Sequence, residues 1–152
     1  MNINPVHLHM VLNHIPIIGM GFVILLLIIA LLWGKSELLN VSLIFAILIA
    51  VSTIVVHQTG ESAEKYVQGK PGFSDELVQA HDVAADVAFA FVEAAGLLAL
   101  ITLVKRKYYK NSGKVLILAT LLGLVVGEVL MIRAANLGGK INHPEIRRTP
   151  VF

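Results

Sequence analysis

Four long apolar runs separated by polar segments set the pattern of this chain. Ile15 to Trp33 holds no charged residue, and Pro16 suits the first turn of a helix, where its missing N–H costs little. After the short turn Gly34-Lys35-Ser36-Glu37, Leu38 to His57 is uncharged up to its final histidine. A hydrocarbon core of about 30 Å needs roughly 20 such residues per helix. Both runs therefore read as membrane spans, antiparallel because the turn between them is so short. The segment 58–75 is polar and carries Gly60, Gly69, Pro71 and Gly72, which predicts a loop able to hold a short helix over Glu61 to Val67. Ser74-Asp75-Glu76 reads as a helix start, with a capping hydroxyl followed by two acids at the positive end of the dipole. The third helix then runs to about Val104 and the fourth lies near 115–135. The expected architecture is all-α, a single integral membrane four-helix up-down bundle with helices near 15–33, 38–57, 76–104 and 115–135. A loop covers 58–75 and a polar tail covers 136–152.

Composition agrees with lipid as the solvent, since 57% of the 152 residues are hydrophobic and only 14% are charged. The net charge of +2 does not point to nucleic acid, because the basic residues flank the spans rather than cover a soluble face. The chain has no cysteine, which excludes disulfides, iron–sulfur ligation and covalent c-type haem attachment. Lys105, Arg106, Lys107, Lys110 and Lys114 crowd into one short turn, whereas basic residues on the opposite side are spread over a longer loop and tail. By the positive-inside rule, that density predicts an inner-membrane protein with both termini and the long loop periplasmic. No basic n-region precedes the first run, so the first helix is expected to be retained.

On this map all six histidines fall at one end of the bundle. His7, His9 and His14 precede or open the first helix, His57 closes the second, His81 opens the third and His143 follows the fourth. Each helix thus brings an imidazole to one end, the arrangement from which ligands converge between helices. Without thiols, such a set suits haem b, copper, zinc or non-haem iron. His14, His57, His81 and His143 are the axial-ligand candidates for one or two haems, and Arg133, Arg147 and Arg148 are placed in sequence to pair with propionates. Gly19, Gly21, Gly96, Gly123 and Gly127 offer room for a flat ring or for a neighbouring helix, and Gly123-x-x-x-Gly127 is the helix-packing pattern. Asp86, Glu93 and Glu128 are carboxylates within the spans. Such groups are costly in lipid and often mark proton routes, so they are proton-pathway candidates.

The stretch Leu8-His9-Met10-Val11-Leu12-Asn13-His14-Ile15-Pro16-Ile17, the Thr59-Gly60-Glu61-Ser62-Ala63 segment, His81, and the ending Ala135-Asn136-Leu137-Gly138-Gly139-Lys140-Ile141-Asn142-His143-Pro144-Glu145-Ile146 resemble a bacterial family of small four-helix membrane proteins of unknown function. Some of its members occur alongside Rieske-type or cytochrome domains. The resemblance spans nearly the whole chain, and its histidines correspond to His14, His81 and His143. It implies the four-helix fold and a respiratory, haem-linked setting, and supplies no reaction. The leading expectation is a small b-type cytochrome subunit that passes electrons between a periplasmic partner and quinone or a companion subunit of a redox complex. A homo-oligomer is the other assembly considered. Two other readings stand beside it: a copper- or zinc-binding protein using His7, His9, Met10 and His14, and a non-redox structural subunit.

Overall fold

The computed structural model describes residues 4–109 and 114–147. It is a bundle of four long helices: α2 (His14–Leu32) with a short leading helix α1 (Pro5–Leu12), then α3 (Ser36–Val67), α4 (Asp75–Tyr108) and α5 (Lys114–Asn142). A 3₁₀ turn, Pro144–Ile146, follows α5. The four spans Pro5–Leu32, Ser36–Val67, Asp75–Tyr108 and Lys114–Asn142 are long and apolar enough to cross a membrane, as expected for a multi-pass membrane protein. Lys110 of the basic turn lies outside the described residues.

The helix ends differ from the expected ones at the histidine side. α3 does not stop at His57 but continues through Gly60 to Val67, and α5 continues to Asn142. Hydroxyls sustain the extension of α3, since Thr59 Oγ1 donates to Val56 O at 2.8 Å and Ser62 Oγ to Gln58 O at 3.0 Å. The turn is made instead at Gly69 and Gly72, whose φ angles of 70° and 95° other residues rarely adopt. Ser74 caps α4 as the sequence suggests, accepting from Leu77 N at 3.4 Å. At 32 and 34 residues, α3 and α4 are about 50 Å long, so their polar ends stand well clear of a hydrocarbon core of about 30 Å. The histidine end of the bundle is therefore a small structured head on a membrane stem.

Lipid tails give helices no hydrophobic reason to associate, so close packing must hold the stem together. Met20, Leu27, Leu43, Val92 and Leu124 fill its axis. Small residues set the spacing: a Cβ on Gly96 would collide with that of Ala50, and one on Gly19 with the side chain of Ile49. Gly123 and Gly127 face Ala95 and Val92 of α4, so this pair packs α5 onto α4. At the opposite end from the histidines, Arg106 ties α4 to the start of α3, donating to Asn40 Oδ1 at 2.9 Å and to Ser36 Oγ at 3.0 Å.

Gly96→Ala is expected to destabilise the bundle by about 1–3 kcal/mol, because Ala50 has no flexible end to move aside. Leu97→Ala, on a lipid-facing position, should leave stability close to the parent's. Equilibrium unfolding in mixed micelles checks both values.

Candidate functional site

The histidine end holds a cavity of about 500 Å³ among α1, the start of α2, α3, α4 and α5. His9, His14, His57, His81 and His143 all line it, with apolar walls that include Ile17, Val56, Phe89, Val92 and Met131. The convergence expected from the sequence is present. Only one pair of these histidines is in a facing arrangement.

That pair is His9 and His81. Their ring centroids are 6.3 Å apart with planes inclined at 69°. Each ring is fixed by what its Nδ1 meets. His81 Nδ1 lies 2.8 Å from Ala134 O, and a carbonyl can only accept, so the proton sits on Nδ1. His9 Nδ1 lies 3.2 Å from Val56 O and 3.3 Å from Thr59 Oγ1. The Thr59 hydroxyl already gives its proton to Val56 O and can therefore only accept from His9. In the neutral form each ring therefore keeps its lone pair on Nε2, the form that binds a metal. Neither Nε2 has a hydrogen-bond partner among the described residues.

Two glycines make this placement possible. A Cβ on Gly60 would stand 3.1 Å from His9 Cε1, and one on Gly138 would stand 3.1 Å from His81 Cε1. Each ring lies over a helix surface from which a side chain is missing. Gly60, read from the sequence as a helix breaker, is instead the seat of His9 within α3. Sequence reasoning ranked His9 below His14, because it lies in a terminal arm, and gave Gly138 no role beyond a motif position.

The other candidates are placed elsewhere. His14 is exposed and turns Nδ1 to Met10 O at 2.8 Å, a local contact within its own turn. His57 stacks on Phe89 with centroids 4.4 Å apart, its Nε2 2.9 Å from Asp86 Oδ1 and its Nδ1 3.6 Å from Glu61 Oε1. His143 pairs with Glu145 at 2.9 Å. The main-chain N–H of Glu145 and the His143 ring hold that carboxyl below the usual carboxylate range. Of the residues considered for copper, His7 is exposed, while His9, Met10 and His14 line the cavity. Among the described residues no three His, Asp or Glu side chains are placed to hold one metal ion.

The basic residues and the acids are also separated. Arg147 donates to the α5 carbonyls of Lys140 and Ile141 at 3.0 and 3.3 Å. Arg133 is exposed on α5, and Arg148 lies outside the described residues. No Lys or Arg lines the cavity among the described residues. Asp86 is at the rim, with a side chain 60% exposed. Glu93 lies deeper, its Oε1 2.6 Å from Thr53 Oγ1 across the α3–α4 seam. Glu128 sits against Gly21 on α2, with Oε2 buried and without a hydrogen-bond partner among the described residues. The three acids occupy separate places, with no hydrogen bond from one to another among the described residues. No family model matches the chain, and neither a search of curated proteins nor one of solved structures gave a match.

Gly60→Ala and Gly138→Ala should each displace the facing imidazole by a few tenths of an ångström while leaving helix content unchanged. The ring resonances of His9 should move in the first variant and those of His81 in the second, in ¹⁵N-labelled protein. Unmoved rings would mean that the glycines are not their seats.

Proposed function

We propose that the chain is a b-type cytochrome subunit that holds one haem between His9 and His81. The observation that carries this is the spacing of the two rings. An imidazole nitrogen bonds a metal at about 2 Å and lies about 1 Å from its ring centre, so two imidazoles on opposite sides of one iron have centres about 6 Å apart. The 6.3 Å between His9 and His81 agrees with that value. A porphyrin brings four of the six iron ligands, so a two-histidine site suffices where a bare ion would need more protein donors. The cavity of about 500 Å³ and its apolar walls suit a flat apolar macrocycle.

When bound, haem supplies reversible one-electron exchange. The chain's own part is to fix both Nε2 atoms, through Ala134 O on one side and Val56 O with Thr59 on the other, and to exclude water with α1 and α3. Val92 and Met131 close the floor toward the stem. His57, with Asp86 and Glu61 on its two nitrogens, forms a polar rim where α3 and α4 stand above the hydrocarbon. In this reading the histidine end faces the periplasm of an inner membrane, and electrons pass between a periplasmic partner and quinone or a companion subunit. The density of basic residues in the opposite turn supports that orientation.

Protein purified with haem supplied during expression should carry about one haem b per chain, with a low-spin reduced-minus-oxidised spectrum. His81→Ala should lose it, and His14→Ala, His57→Ala and His143→Ala should each retain it. A parent protein without an α band, or a spectrum that survives His81→Ala and disappears with His14→Ala, would refute the assignment.

A further inference from the structure

The two facing histidines are held very differently. His81 belongs to a 34-residue helix, is flanked by the buried Val78 and Ala84, and makes one short bond to Ala134 O. His9 belongs to an 8-residue helix in which no residue is fully buried. A helix that short has little stability of its own and depends on what it rests against. α1 rests mainly on α3 and meets α2 at Asn13, which gives α2 no side-chain cap. Among the described residues its side-chain hydrogen bonds to α3 come from His9 alone, at 3.2 and 3.3 Å.

We infer that α1 is a releasable strap and that the position filled by His9 is a binding site for a small neutral ligand such as carbon monoxide. This rests on the haem reading above. In the exchange, the bond between iron and His9 Nε2 breaks and a bond from iron to the carbon of the incoming ligand forms. His9 departs with its lone pair, no electron is transferred and His81 stays bound. Opening costs the half-buried contacts of one short helix and the hydrogen bonds of one imidazole, whereas release of His81 would require α4 to part from α5. Thr59 is a positioning residue here, because it holds His9 without facing the centre itself.

Stopped-flow mixing of the reduced parent protein with carbon monoxide tests the inference. The parent should give a ligand-bound spectrum at a rate that levels off as carbon monoxide rises, because strap release limits it. His9→Ala should retain haem, become high-spin and bind carbon monoxide at a rate proportional to concentration. Thr59→Val should raise the plateau about fivefold, the weight of one hydrogen bond, and Thr59→Ser should stay near the parent. A reduced parent that keeps its spectrum under carbon monoxide would overturn the strap while leaving the two-histidine haem intact, as would an unchanged plateau in Thr59→Val. A parent without haem would instead overturn the reading on which the strap rests.

Discussion

A neutral histidine that donates through Nδ1 to a main-chain carbonyl can present only Nε2 to anything else, and the histidine end of this bundle is organised around two such rings. The carbonyl partners matter because a carbonyl has no alternative role: it accepts, and the tautomer follows. Ala134 O is available to His81 because α5 runs on past the hydrocarbon beside α4. Val56 O is available to His9 because Thr59 and α1 gather on the same turn of α3. The length of α3 and α5, the seating of α1 and the two glycines are all requirements of holding those rings 6.3 Å apart.

The stem imposes the other constraint. In lipid the backbone must satisfy itself and helices must approach closely to gain dispersion energy, so between the large apolar side chains of the axis the stem places alanine, glycine and hydroxyl residues that bond back to their own helix. Ser42, Thr102 and Thr120 are fully buried and each donates to the carbonyl four residues earlier, so none competes for a ligand. The same small-residue economy that closes the stem is relaxed at the head. There Gly60 and Gly138 admit a ring instead of a helix, and the bundle opens into a cavity.

What could be read from the sequence follows this division. The four spans were legible because length and uninterrupted apolarity are strong signals, and the shared side of the histidines followed from counting helix reversals. The pairing was not legible. His9 lies seven residues before Pro16 in a terminal arm, and nothing in a linear pattern shows that the arm folds back onto α3 as a helix. Gly123-x-x-x-Gly127 was equally open to ring space and to packing, and the side chains of Ala95 and Val92 decide for packing. Gly60 looked like a chain terminator for the span because a glycine followed by charged residues usually is one. Here hydroxyl back-bonding carries the helix through it, and the absent side chain serves a contact from another element.

The charge around the cavity bears on what an iron centre there would experience. Glu61, Glu64 and Asp82 line it, and Asp86 joins them at the rim through His57, while Arg147 bonds α5 carbonyls and Arg133 is exposed on α5. Two neutral imidazoles would leave the charge of such a centre uncompensated, and under the haem proposal neighbouring carboxylates would favour its more positive, oxidised form and draw the potential down. The effect is moderated by exposure, since the Asp86 and Glu61 side chains are 60% and 52% accessible and their fields are largely screened by solvent. Glu64 and Asp82 lie beside each other on the cavity wall and are only partly exposed. An acidic mouth of this kind repels anions and favours a basic contact face, so under the haem proposal the same residues that would lower the potential would also select the sign of an electron-transfer partner.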